Sequence, residues 1–331
     1  MKAEESRKIT SANVAMTMLI VLLHTVFDNP ALKGVYVLCQ MAVPVFFSIS
    51  AFLYFQQWEF SWSCYKQKVL RRVKSLWVPF VIFNALVVLY YFVKLYLLPI
   101  PSERHELPDV LEIVTGCLFG IPEPFNGPLW FVRELMVFVL FAPLLGWVVS
   151  RGWKWAVAIV MVSFAVGRYA SYFSILYWTP CLVLGCYCAL FEVRCLSNKI
   201  SGKWKWLVVT CFLMFLAFVY FCLQDAADSS LLFYFYRMSA PVWILLLYTV
   251  FDNLLPHRLV MSVAPFTFFI FCSHTFFINI VNALVQGFCT LPCGVGEAVV
   301  FVVAFVMVVL AGRLLSCVKP LWKLLTGFRA K

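Results

Sequence analysis

Apolar runs separated by short polar breaks recur along almost the whole chain, and each run is near the ~20 residues a helix needs to cross a bilayer. The pattern predicts helices at roughly 11–28, 34–56, 76–98, 128–149, 154–170, 174–192, 206–223, 231–251, 260–288 and 297–318. The stretch SFAVGRYASYFSILYW also allows the fifth and sixth to be one broken helix, and the ninth is long enough to open with an interfacial turn. The expected fold is all-α, a polytopic membrane bundle of about ten transmembrane helices, with residues 1–331 forming a single domain. The longest polar break, 99–128, holds Glu103, Glu106, Asp109 and Glu112 and much of the proline, with one short helix expected near 108–119.

Composition strengthens this picture. Of the 331 residues 64% are hydrophobic and only 12% charged, where a soluble domain carries about 25% charged residues. The net charge of +11 does not point to nucleic acid, because the basic residues sit in short clusters between apolar runs. With a cytoplasmic start, the inner segments hold Lys2, Arg7 and Lys8; Lys66, Lys68, Arg71, Arg72 and Lys74; Arg151 and Lys154; Arg194, Lys199, Lys203 and Lys205; Arg258; and Lys319, Lys323, Arg329 and Lys331. The outer segments hold Lys33, Arg104 and Arg168. This bias places both termini in the cytoplasm and the 99–128 loop outside. Trp-Lys-Trp occurs at 153–155 and again at 204–206, each time opening a helix on the inner side, as interfacial aromatic anchors do. No cleaved signal peptide is expected.

Most of the thirteen cysteines lie inside apolar runs, where they act as small packing residues. Cys289 and Cys293 share a loop; they pair if it faces an oxidising compartment and otherwise stay free thiols. No CxxC zinc pattern and no other metal site is evident, nor a P-loop, a Rossmann glycine fingerprint or a G-x-S-x-G elbow.

Ionisable groups within the runs are the functional candidates, since a bilayer tolerates them poorly. His24 ends an otherwise aliphatic stretch, LIVLLHTVFD, and an imidazole titrating near neutrality can serve as a general base. Asp28, one turn on, can orient it. A histidine merely bonded to a neighbouring helix explains the same residue equally well. Arg133 and Glu134 follow GPLW, Arg237 lies in the eighth run and His274 in the ninth. Neighbouring positions on a helix point about 100° apart, so Arg133 and Glu134 are expected to find different partners, with Glu134 and Arg237 able to pair across helices. The cluster KQKVLRRVKSLWVP offers Lys66, Lys68, Arg71, Arg72 and Lys74 to anionic headgroups or to a phosphate-rich soluble ligand.

Five stretches, in order, resemble the acyltransferase-3 family of integral membrane acyltransferases over roughly residues 10–320. They are LIVLLHT, VPVFFSISAFLYF, RRVKSLWVPF, GPLWFVRELMVFVLFAPLL and SVAPFTFFIFCSHTFFI. The resemblance implies transfer of an acyl group, commonly acetyl from acetyl-CoA, to hydroxyls of extracytoplasmic glycans or related acceptors, with His24 catalytic. The donor would be a substrate rather than a tightly bound cofactor, and the chain would sit as a multi-pass protein in a cell inner membrane. The family often carries an arginine eleven residues before this histidine; here the position is Asn13, about 16 Å of helix further in, and Arg7, Lys8 or the 71–74 cluster are candidates to replace it. Ala51 likewise stands where the second motif has glycine. On this reading the phosphates of acyl-CoA rest near Lys66, Lys68, Arg71, Arg72 and Lys74, a narrow polar passage leads the pantetheine arm to His24, and Ser50, Trp130 and His274 line the passage or bind the acceptor. Beyond the bilayer, acyl-CoA and the glycan, no nucleic-acid partner is implied, and a homo-oligomer is left open. A competing reading is a transporter or flippase relaying protons or substrate through His24, His274, Arg237 and Glu134; no inverted repeat between chain halves supports it.

Overall fold

In lipid every backbone polar group must be satisfied internally, so apolar runs of this length close into helices. The computed structural model describes residues 3–26, 29–96, 108–193, 203–223, 230–251, 254–288, 291–292 and 294–328. In chain order the helices are α1 (Ala3–Val26), α2 (Lys33–Cys39), α3 (Ala42–Phe55), α4 (Trp62–Arg72), α5 (Val78–Tyr96), α6 (Val110–Phe119), α7 (Trp130–Val149) and α8 (Trp153–Gly167). They continue as α9 (Ile175–Leu190), α10 (Lys203–Leu223), α11 (Leu231–Val250), α12 (His257–Val263), α13 (Thr267–Phe288), α14 (Val295–Ser316) and α15 (Lys319–Leu325). Among the described residues, eight continuous helical stretches are long and apolar enough to cross a membrane; α6, α8 and α9 are shorter apolar helices.

Two of the expected helices are interrupted and a third is joined to an additional helix before it, each at a proline. Pro44 has no N–H to give to the carbonyl of Gln40, and the 34–56 run accordingly breaks into α2 and α3 at Gln40–Met41. Pro79 leaves the Ser75 carbonyl without its usual partner, and α4 passes into α5 through a π turn over Val73–Trp77. Pro265 sits in the 3₁₀ turn Ala264–Phe266 that joins α12 to α13. The basic cluster read as lying beside a helix entrance therefore forms a helix of its own, α4, and α15 was not foreseen. The short helix expected near 108–119 is α6, started by Asp109, whose Oδ1 accepts the Glu112 N–H at 2.6 Å, and ended by Gly120 at φ +66°.

The centre of the bundle is the crossing of α3 and α9. Gly185 lets the two backbones meet: a Cβ added there would stand 2.1 Å from the Ser48 carbonyl oxygen and 3.0 Å from the Ala51 Cβ. Ser48 Oγ donates to the Cys181 carbonyl at 2.9 Å across the same crossing. Phe47, Phe55, Trp178 and Tyr236 fill the surrounding core. By contrast α10 lies at the periphery, with Trp204, Trp206, Met214 and Phe221 exposed. Trp153 and Trp155 are exposed in the same way at the start of α8, and Arg151 lies 3.7 Å above the Trp147 ring.

Candidate active site

His24 closes the last turn of α1, and it is exposed although its neighbours Leu23 and Val26 are buried. Its exposure is to a cavity of about 920 Å³, which His24 lines together with Gln40, Trp130, Arg133, Glu134, Tyr172, Tyr177, Arg237 and Phe271. The exposed residues Pro122, Glu123, Arg168, Ser171 and Phe173 form its rim. Asp28 lies outside the described residues, as do Cys289 and Cys293.

His274 of α13 stands next to His24, ring centroids 4.9 Å apart, and is itself 1% exposed. Its Nδ1 faces two carbonyls, Phe271 at 2.8 Å and Ile270 at 3.1 Å, both of which can only accept. The proton of the neutral ring therefore sits on Nδ1, leaving Nε2 as a lone-pair nitrogen. That Nε2 is buried and has no hydrogen-bond partner among the described residues.

Arg133 and Glu134 do pair with each other, Nε to Oε1 at 2.9 Å, despite occupying adjacent positions. The long arginine chain bends back far enough to overcome the 100° between their Cβ directions. Arg133 also donates to the carbonyls of Gly120 at 2.9 Å and Phe173 at 3.1 Å. Glu134 Oε2 accepts the Ile175 N–H at 2.7 Å, placing a carboxylate at the N-terminus of α9, where the helix dipole favours it. This knot joins α7, the 120–127 loop and α9 beside the cavity. Arg237, 3% exposed, donates from Nε to Gln40 Oε1 and from Nη1 to the Tyr177 hydroxyl, both at 3.0 Å, and its guanidinium lies 4.2 Å from the Phe233 centroid.

The 120–127 loop is carried deep into the bundle by two asparagines. Asn84 Oδ1 accepts the Asn126 N–H at 2.9 Å, and Asn126 Nδ2 donates to the Cys272 carbonyl at 2.8 Å, two residues from His274. All of these groups are buried, so Asn84→Ala leaves the Asn126 N–H without an acceptor. It should lower stability by about 1–3 kcal/mol, read as a fall in melting temperature in detergent. An unchanged melting temperature would show that the loop is held by other contacts.

Of the other sequence candidates, Trp130 is in the aromatic wall of the cavity, 5.2 Å from Tyr172 and 6.2 Å from Trp178 between centroids. Asn13 and Ser50 are half-buried and are not among its lining residues. Gln40 was overlooked, yet a glutamine inside an apolar run carries the same signal as the charged residues did. Tyr172 and Tyr177 carried none, being two of fourteen tyrosines.

A second cavity, of about 400 Å³, is lined by Lys68, Arg71, Arg72 and Lys74 with Leu53, Tyr54, Ser75, Gly327 and Phe328. Lys66 is exposed and not among them. The Lys68 ammonium is held by the carbonyls of Tyr54 at 2.7 Å and Gln56 at 3.0 Å. Phe83 packs on Phe269, centroids 6.1 Å apart, which ties the heights of α5 and α13. At 1.5 Å per residue, Ser75 then lies about 20 Å below the two histidines along the bundle. Along α3, Val43 lines the first cavity and Tyr54 the second, and the intervening Phe47 and Ala51 are fully buried. Phe47 and Ala51 thus line neither cavity, whereas Val45, Ser48, Ile49 and Phe52 on the same helix line a third.

The structure thus sets a histidine in a polar, aromatic-lined cavity above a cation-lined pocket. In the comparison with known families, residues 14–317 match the family described as "Acyltransferase domain". The chain belongs to the acyltransferase-3 family. It is a multi-pass membrane protein and an acyl-transferring enzyme. No curated protein and no solved structure matches it. The acyltransferase match takes in both histidines, the arginines of the cavity and the basic cluster, and it stops short of α15.

Proposed function

We propose that the protein moves an acyl group, acetyl in the simplest case, from acyl-CoA to a hydroxyl of a glycan or related acceptor on the opposite side of a cell inner membrane. The basic pocket faces the cytoplasm in this reading, and the cavity around His24 opens outward. The observation that carries it is the exposure of His24 within a cavity walled by Trp130, Tyr172 and Phe173 and charged by Arg133 and Arg237. Flat aromatic faces suit the C–H face of a sugar ring, and fixed positive charge suits an oxyanion.

In the proposed step, His24 removes the proton of the acceptor hydroxyl as its oxygen attacks the thioester carbonyl. The positive charge of Arg237 favours the negative charge that develops on the carbonyl oxygen, while Arg133 stays paired with Glu134. Collapse of the intermediate breaks the C–S bond, forms the ester, and returns the proton from His24 to the departing thiolate. His274 is a positioning residue: its Nε2 lone pair, fixed by the Nδ1 bonds, can hold a His24 N–H and so keep the other His24 nitrogen unprotonated toward the cavity.

Mass analysis of surface glycans from cells with and without the gene tests the reading. Loss of a labile acyl ester in the deletion is expected. Accumulated glycan that is not exported, with its acyl content unchanged, would overturn it in favour of transport.

A further inference from the structure

The basic pocket is completed by a segment beyond the family match, the C-terminal turn after α15. Trp322 anchors α15 against Phe266 and Phe269, with centroids 5.6 and 5.5 Å away. The helix then closes in a Schellman turn: Gly327 N–H donates to the Leu324 carbonyl at 3.3 Å and Phe328 N–H to the Lys323 carbonyl at 2.7 Å. Gly327, at φ +65°, lies directly on the π turn, where a Cβ would stand 2.5 Å from Ser75 Cα and 2.6 Å from its carbonyl oxygen. Only glycine fits there on either count, so the position of Phe328 is set by backbone contact with the helix that carries Lys68, Arg71, Arg72 and Lys74.

Phe328 itself is unusual. It is 51% exposed and holds φ +60°, a conformation a bulky side chain rarely adopts. Its ring is not used to fill the core, yet it lines the cavity. Four cations line the pocket with it, and no carboxylate does so among the described residues. The Tyr54 hydroxyl, in the pocket wall and 2% exposed as a residue, has no hydrogen-bond partner among the described residues. A patch of four positive charges calls for several phosphates, whereas an exposed aromatic face beside them calls for a planar base.

We propose that Phe328 is the platform on which the adenine of the acyl-CoA donor stacks while its phosphates rest on Lys68, Arg71, Arg72 and Lys74. This rests on the acyl-CoA reading above and adds to it a nucleotide-recognising residue in the C-terminal turn. An anionic lipid headgroup would satisfy the cations equally and leave Phe328 without a role.

The test uses the full chain in detergent and calorimetric binding of three probes: coenzyme A, adenosine 3′,5′-bisphosphate and pyrophosphate. Phe328→Asn removes the ring but keeps a residue that tolerates positive φ. It should weaken the first two probes by roughly 5- to 100-fold, the range of one base stack, and leave pyrophosphate unchanged. Phe328→Tyr should restore them, and Arg72→Ala should weaken all three. Equal losses on pyrophosphate, or no loss of coenzyme A affinity in Phe328→Asn, overturn the stacking role while the donor reading stands. Failure of the parent chain to bind coenzyme A, with vesicles of anionic lipid competing for pyrophosphate, overturns the donor reading itself and the inference with it.

Discussion

Replacing His24 by alanine should reduce acyl transfer by about 10²- to 10⁴-fold, the contribution of a positioned general base, and leave the bundle folded. The side chain borders a cavity rather than packed core, so its loss opens no void among aliphatic neighbours. Transfer of radiolabelled acetyl from acetyl-CoA by purified protein, read beside the melting temperature, separates chemistry from stability. Turnover persisting at the parent rate in a normally folded variant would remove His24 from the mechanism. His274→Ala offers a graded comparison: if the second ring only sets the tautomer of the first, activity falls by less and its pH profile moves.

The largest structural effect is expected at Gly185. A Val there would force a Cβ to 2.1 Å from the Ser48 carbonyl oxygen and 2.9 Å from the Phe52 backbone nitrogen. Backbone atoms of a neighbouring helix cannot rotate aside as a side chain can. The cost should reach or pass the upper end of the ~1–3 kcal/mol usual for overpacking. Gly185→Val should appear as aggregated material on size exclusion, whereas Gly127→Ala, with nothing within 4 Å of its new Cβ, should behave as the parent. A monodisperse Gly185→Val protein with the parent melting temperature would mean that α3 and α9 are not locked together. The same crossing explains why Ala51 can stand where the family motif has glycine: the space its methyl needs is supplied by Gly185 opposite.

Helix content and positions were readable from hydrophobic runs because a bilayer permits few alternatives. The breaks at Pro44 and Pro265 were also written in the chain, yet a hydropathy window averages across them, so α2 and α3, and α12 and α13, read as single elements. Residues of the candidate site were readable where a charge stood against an apolar background, as with His24, Arg133, Glu134 and Arg237 on the cavity wall and His274 beside it. Their partnerships were not. Whether Glu134 meets Arg133 or Arg237 depends on how far a flexible arginine bends and on where α9 begins, which is tertiary information. Tyr172 and Tyr177 could not be distinguished from lipid-facing aromatics, since the face of a helix that meets the cavity is set by its neighbours. Gly327 and Phe328 carry no local signal, and their place in the pocket follows from α15 folding back onto the π turn.

The separation of the two cavities along the bundle has an electrical consequence. In the proposed orientation, with the His24 cavity open outward and the basic pocket inward, a voltage across the membrane falls over the bundle between them, at about 2.3 kcal/mol per elementary charge for each 100 mV. In the proposed reaction the thioester arm that crosses it is uncharged while the phosphates stay behind on the cations. The field then does no work on delivery of the acyl group.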